Sequence, residues 1–334
     1  MTTLATQVLT LSDWAKRVDP DGKVDAVVEL LNETNEILMD ALWKEGNLPT
    51  GHKTTIRTGL PSVAWRKLNY GVPPSKSRTA QVTDACGMLE AYAEIDKKLA
   101  DLNGNTTAFR LSEDQAFLEA MNQEMASMFF YGDTSQDPEK ILGLAPRYSD
   151  PSAENGENLL DGGGTGSDNT SVWLIVWGAN TVHGIFPKAS KAGISHEDLG
   201  EVTLEDAAGG KYQGYRTHYK WESGLTLKDW RYAVRICNID VSDLATFGAG
   251  TDNSAALIRL LIQAYNKIPH LGMGRPVIYC NKTVKTWLDI MAGEKSNVLL
   301  NISEYAGRPV TNFWGVPVRR CDAILDTEDA VSFS

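Results

Sequence analysis

Nothing in this sequence marks a membrane span, a metal centre or a disulfide framework. Its longest uninterrupted apolar run is Val172 to Trp177, far short of the roughly 18 residues a spanning helix needs. The four cysteines, Cys86, Cys237, Cys280 and Cys321, are widely spread and no two have C-x-x-C spacing. That excludes a zinc knuckle and a dithiol redox motif, and they read as buried free thiols that behave as small hydrophobes. The five histidines, His52, His183, His196, His218 and His270, form neither H-E-x-x-H nor H-x-H, so no metal site is expected. No G-x-S-x-G elbow exposes a hydrolase serine. An enzyme reading rests only on a Cys-His or carboxylate pair that meets in space, so no catalytic residue and no cofactor is assigned. Met1 to Leu11 lacks the basic start and apolar stretch of a secretory signal, which points to a reduced, cytosolic folding compartment.

The most telling absence is acid. From Gly46 to Thr83, 38 residues contain no Asp or Glu, yet they hold Lys53, Arg57, Arg66, Lys67, Lys76 and Arg78. Pro49, Pro61, Pro73 and Pro74 break any helix there. Ordinary connections are about 4–6 residues, and much longer ones are usually functional or disordered. The pieces Thr54–Thr58 and Val63–Leu68 are expected to pair as a long hairpin. Trp65, Leu68 and Tyr70 are poor choices for a solvated loop, so the segment reads as an arm that docks on an acidic partner.

The remainder has the opposite character. The 334 residues carry 32 Lys and Arg against 43 Asp and Glu, a net charge of −11. Removing the arm's six positive charges leaves −17 on the rest. The chain is therefore complementary to itself, while its acidic balance discourages a nucleic-acid reader. With 42% hydrophobic and 22% charged residues it has ordinary globular composition, for one large domain or two to three small ones.

Hydrophobic periodicity places the elements. Ser12 caps a short helix that ends before Pro20, and Val24, Val27, Val28, Leu31, Leu38 and Leu42 predict a second helix to Trp43. Met88–Ile95 alternates as a strand with Leu89, Ala91, Ala93 and Ile95 on one face, then leads into a short Asp96–Ala100 helix. Ser112 with Gln115 reads as a capping box. The helix behind it runs to about Phe130, roughly 27 Å, with a stripe of Leu118, Met121, Met125, Met128 and Phe129. Val172–Trp177 is a buried strand. Tyr215, Thr217, Tyr219 and Trp221 alternate with Arg216, His218, Lys220 and Glu222. After a turn around Gly224, Trp230, Tyr232, Val234 and Ile236 repeat the pattern with Arg231 and Arg235 outward. Asn253 or Ser254 caps a helix, Val277–Cys280 is a strand, Asn281 caps a second helix and Val316–Cys321 is a late strand. The order is α+β. Gly162–Gly166 is followed by Ser167-Asp168-Asn169 rather than Lys-Ser or Lys-Thr, so it reads as a turn and not a phosphate loop. Glu201–Asp206 reads as a solvated face.

Five stretches carry a resemblance. They are Ala64–Pro73 within the arm, Ala93–Lys97, Phe130-Tyr131-Gly132-Asp133 with Gly143-Leu144, Gly163–Gly166 with Asp168–Trp173, and Trp221 through Gly224 to Asp229, Arg231 and Arg235. In this order they resemble the major capsid proteins of tailed bacteriophages, the short-tailed epsilon-fifteen-like group, over roughly residues 60–240. The resemblance implies an α+β Hong Kong 97-like capsid fold with an N-terminal arm (1–45), an extended loop (46–83), a peripheral domain (84–135 and 200–248) and an axial domain (mainly 136–199 and 249–334). The Ser112–Phe130 helix would be the spine helix.

The function implied is a structural protein, not an enzyme, that assembles with itself as pentamers and hexamers. The closed icosahedral head would enclose double-stranded DNA without sequence-specific binding. It would be part of the virion, built in the host bacterial cytoplasm, with no membrane partner. Lys53, Arg57, Trp65, Arg66, Lys67, Leu68, Tyr70, Lys76 and Arg78 are the expected inter-subunit contacts. A cementing or decoration protein, a scaffold and a portal are implied further partners. Some relatives cross-link Lys to Asn, but no local signature around Lys53, Lys67 or Lys76 marks that here. The alternatives are an encapsulin-like compartment shell and a soluble enzyme.

Overall fold

The computed structural model describes Leu9 and residues 33–102, 104–206, 208–244, 253–293, 300–305 and 308–333. The expected Ser12 helix and the Val24–Asn32 part of the next helix lie outside these. In chain order the strands are β1 (Trp43–Glu45), β2 (Gly51–Gly59), β3 (Arg78–Ala85), β4 (Gly87–Asp96), β5 (Leu159–Asp161), β6 (Asn169–Trp177), β7 (Val182–Phe186), β8 (Ser195–Glu205), β9 (Lys211–Leu227), β10 (Ala233–Asp240), β11 (Arg275–Cys280), β12 (Leu300–Tyr305), β13 (Arg308–Phe313) and β14 (Val316–Arg320). The three long helices are α1 (Thr106–Tyr131), α2 (Asn253–Lys267) and α3 (Lys282–Gly293). None of the described helices is long and apolar enough to cross a membrane.

Two compact units emerge. The first comprises residues 88–126 and 193–222 with the described part of 1–34. Its sheet pairs β8 with β9 antiparallel, Ser195 opposite Lys220 and Glu205 opposite Lys211, and places β4 on the other edge of β9. The alternation read in β9 holds. Thr217, Tyr219 and Trp221 are buried, and Phe117 of α1 stacks on Tyr219 with ring centroids 6.5 Å apart. The opposite face is polar, with Arg216 paired to Glu94 at 2.5 Å and His218 in hydrogen-bond contact with Glu90 at 3.2 Å.

The helix α1 begins earlier than the capping box suggests. Asn105 caps it, its Oδ1 accepting the Ala108 amide at 3.4 Å. Ser112 lies inside the helix and its hydroxyl donates back to the Phe109 carbonyl at 2.8 Å. A serine hydroxyl serves either purpose, so the pattern alone misplaces the start. At 26 residues, α1 is about 39 Å long. Met121, Met125 and Phe129 are buried as expected, but Leu118 is exposed.

The second unit is residues 35–87, 127–192 and 223–334. All nine residues of β6 are buried. It lies between β10 and β11, both antiparallel to it, with Val172 opposite Ile236 and Leu174 opposite Ile278. β14 runs parallel to β11, and β13 and β12 extend that edge. The amphipathic helices α2 and α3 bury Leu257, Leu261, Ala264, Val284, Leu288 and Met291 in the same apolar cluster as Val172, Leu174 and Val176. Asn281 caps α3, its Oδ1 accepting the Val284 amide at 2.8 Å. Cys237, Cys280 and Cys321 are buried free thiols and Cys86 is half-buried. Burial pushes the Cys237 thiol up to about 11.

Three expectations are corrected here. Over the described residues 33–43, the helix expected to reach Trp43 is only a turn at Ile37–Asp40, followed by β1, which runs parallel to β7. Trp43 packs edge-on against Phe129, and that tertiary contact overrides helical spacing. Gly224 makes no turn: β9 continues through it to Leu227, and Gly224 pairs with Ile185 of β7. A Cβ there would meet the Ala85 carbonyl oxygen at 2.6 Å, so the glycine serves close backbone approach. β10 then pairs with β6 and β5, not β9, and Arg235 points inward, 4% exposed.

The Phe130–Asp133 and Gly143-Leu144 stretches meet in this unit. The Gly143 amide donates to the Gly132 carbonyl at 2.8 Å. A Cβ on Gly143 would sit 2.7 Å from both the Met128 and Phe130 carbonyl oxygens. Because the obstacles are helix backbone, Gly143→Ala is expected to cost at least about 2 kcal/mol of stability. Urea unfolding checks this, and an unchanged midpoint would refute it.

Candidate assembly surface

The acid-free segment forms a two-stranded antiparallel ribbon, and its strands are not the pair expected. β2 pairs with β3: Lys53 opposite Thr83, Thr54 opposite Val82, Ile56 opposite Ala80 and Arg57 opposite Thr79, with a bulge before Gly59. Val63–Leu68 belongs to the exposed tip between the strands. Pro61, Pro73 and Pro74 flank that tip and lack the amides a ladder needs. The β-branched Thr79, Val82 and Thr83 supply the partner strand instead. The signal was present in the alternation of Thr79–Asp84, but the strand continues beyond the acid-free segment.

The tip is held loosely by its own chain. Ser75 Oγ donates to the Ser62 carbonyl at 2.6 Å, and the Tyr70 amide donates to the Lys67 carbonyl at 3.2 Å. Asn69 closes that turn at φ 66°, a left-handed conformation that asparagine tolerates better than most residues. Around this turn Trp65 is 102% exposed and Leu68 88% exposed. Leu60, Val63, Tyr70 and Val72 also face solvent. The first two and Val72 add to the apolar surface that sequence reading assigned to Trp65, Leu68 and Tyr70. Among the described residues, Lys53, Arg57, Arg66, Lys67, Lys76 and Arg78 have no carboxylate within 4.0 Å. The structure thus brings Trp65, Arg66, Lys67, Leu68 and Tyr70 together at the tip. Lys53, Arg57 and Arg78 lie on the ribbon and Lys76 just before β3.

The ribbon's root is fixed by contrast. Asn47 clasps Lys53 through two backbone bonds of 2.7 and 2.8 Å. Asp84, opposite His52 in the ladder, is buried and accepts from Arg147 at 2.8 Å. Arg147 also donates to the Leu142 and Leu225 carbonyls, each at 3.2 Å. This anchor was not read from the sequence, since Asp84 and Arg147 are 63 residues apart.

The Gly-rich turn is no phosphate site. Gly163 has φ 88°, but the Gly162 and Gly164 amides donate to the Cys237 and Asn238 carbonyls at 2.8 and 2.7 Å. Those donors are spent on protein and leave no phosphate cradle. Among the described residues no group of three His, Cys, Asp or Glu side chains could hold a metal.

A family model described as major capsid protein GP7 matches residues 19–332. The chain belongs to the GP7 family of phage major capsid proteins. The capsid protein of bacteriophage Epsilon15 is similar to it at 37% identity and a TM-score of 0.80, over 99% of each chain. The expected α+β Hong Kong 97-like capsid fold holds on that match. The bacteriophage JBD30 capsid gives a TM-score of 0.47 at 9% identity, covering 88% of this chain and 92% of that one. The SrpI encapsulin of Synechococcus elongatus PCC 7942 gives 0.44 at 9%, covering 70% and 97%. At those values neither carries weight. No curated protein matches. This major capsid protein is a structural component of the virion and assembles with copies of itself into a shell.

Proposed function

We propose that the capsid protein forms pentamers and hexamers in a closed icosahedral head around double-stranded DNA. The ribbon Gly46–Thr83 lies over a neighbouring copy. The 88–126 and 193–222 unit serves as the peripheral domain, and the unit holding α2 and α3 carries the axial domain. The observation that carries this is the tip, which presents Trp65, Leu68 and Tyr70 to solvent beside cations that have no acidic partner among the described residues. Burying a large apolar side chain contributes about 1.5–3 kcal/mol. Three such residues per arm leave a useful surplus after the costs of association only when many arms act together. Lys53, Arg57, Arg66, Lys67, Lys76 and Arg78 then meet the neighbour's acidic surface, which sets register and rejects wrong partners. The shell's acidic balance keeps it from gripping the packaged DNA.

No catalytic role and no membrane partner enters this reading. A cementing or decoration protein, a scaffold and a portal complete the head, which is built in the host bacterial cytoplasm. Electron microscopy of the purified, overexpressed protein tests it. Closed particles hundreds of ångströms across are expected, and shells from infected cells should contain DNA. A stable monomer with catalytic activity, or shells loaded with a cargo enzyme, would overturn it.

A further inference from the structure

The arm's root contains a buried group that assembly does not explain. His52 of β2 and His183 of β7 meet edge to face with ring centroids 5.8 Å apart. His183 is fully buried, opposite Thr226 of β9. Among the described residues, neither of its ring nitrogens makes a hydrogen bond, nor do His52 Nδ1, Thr54 Oγ1, Asp84 Oδ2 and Thr226 Oγ1. The charged groups facing the pair come from every strand around it. Lys44 lies on β1 and Lys228 just after β9, while Asp84 on β3 is the one carboxylate that acts on the pair among the described residues, already held by Arg147. The His52–His183 contact joins the ribbon to the body of the same unit.

A neutral imidazole pair sits in such a place at modest cost. A protonated pair does not: the His183 imidazolium would be a fully buried charge, and the half-buried His52 imidazolium would be a second cation beside it. We propose that this histidine pair is an acid-sensitive hinge, which docks the arm's root on β7 when neutral and releases it when protonated.

The electrostatics agree in sign. Burial is the largest cause and Lys228 the next in lowering both histidines, and His183 is pushed down to about 3. Asp84 opposes the shift at His52, and the Gly178 backbone opposes it least of all influences at His183. A histidine whose folded value lies below its free value near 6.5 leaves stability intact above that pH. Docking is then lost as pH falls from about 6.5 toward 3, by about tenfold per pH unit for one such group. The consequence for shells rests on the reading of the arm as a bridge between copies; the hinge itself belongs to one chain.

Hydrogen exchange of the full-length, unassembled protein between pH 4 and 8 tests it. After correction for intrinsic exchange, protection of residues 51–56 and 182–186 should fall about tenfold per unit below pH 6.5. The His52→Phe/His183→Phe double variant keeps aromatic rings that cannot take a proton. Its protection should be flat from pH 5 to 7, since carboxylate titration is common to both proteins. The same slope in both would overturn the proposal. Exchange of the His183 Cε1 hydrogen, read by mass spectrometry on unaltered protein, needs no variant to fold. A midpoint below 6 supports the hinge and one at or above 6 refutes it. Light scattering of shells over the same pH range separates the two claims. Shells that stay intact while the root opens would count against arm bridging and leave the hinge standing.

Discussion

Replacing Arg66 and Lys67 by Glu together is expected to abolish shell formation while leaving the monomer folded. Both side chains stand on the exposed tip, with no carboxylate within 4.0 Å among the described residues. Substitutions at such surface positions usually change stability by no more than about 0.5 kcal/mol. The unfolding midpoint and far-ultraviolet circular dichroism should therefore match the parent. At the neighbour the effect is large. The arm falls from six positive charges to a net of about two, and on the proposed docking the two reversed charges would face an acidic surface. Like-charge contact across an interface costs several kcal/mol, and every arm in a shell pays it. Sedimentation and electron microscopy should show dispersed protein. Intact shells from the double variant would sink the docking role of the tip. Trp65→Ala removes apolar area without reversing charge, so its particles should form only at higher protein concentration.

The second large effect lies in the core. Arg235 of β10 and Glu328 near the C-terminus pair at 2.9 Å with side chains only 5% and 4% exposed. Arg235 also donates to Ser171 Oγ at 3.1 Å and the Tyr148 carbonyl at 2.8 Å, and its guanidinium lies 5.3 Å over the Trp173 ring. Glu328 accepts from the Ser171 and Tyr131 hydroxyls. Burial and the Glu328 charge together hold the Tyr131 phenol well above its usual range. Glu328→Ala strands a buried guanidinium and is expected to cost about 3–5 kcal/mol, whereas replacing both members by apolar side chains is often neutral. Chemical denaturation should show Glu328→Ala far below the parent and Arg235→Met/Glu328→Leu closer to it. A single variant within about 1 kcal/mol of the parent would refute the pair's role.

These two sites differ in how far they can be read without coordinates. The tip was legible because it is a local compositional fact. Acid is absent, cations and prolines are dense, and apolar residues stand where water would be expected. Its inner geometry was not legible, because Thr54–Thr58 and Val63–Leu68 look equally strand-like. Three prolines and the continuation of β3 to Ala85 decided the pairing. The core network was misread outright. Arg235 alternates with Val234 and Ile236, so a one-sided sheet puts it outward; both faces of β10 are covered, so it points in. Gly224 was misread in the same way, since a glycine between two alternating runs signals a turn as readily as a close contact.

The sequence by itself determined the α+β class, the buried strand Val172–Trp177, the cap at Asn281, the self-complementary charge and, through five ordered stretches, the capsid family. All of these are local patterns or their order along the chain. Only the tertiary structure decided that β2 pairs with β3, that β9 passes straight through Gly224, and that Arg235 meets Glu328. It alone brought Asp84 to Arg147 and His52 to His183. Asp84 and Arg147 are 63 residues apart and Arg235 and Glu328 are 93 apart, a separation at which periodicity carries no information and only packing selects the neighbour.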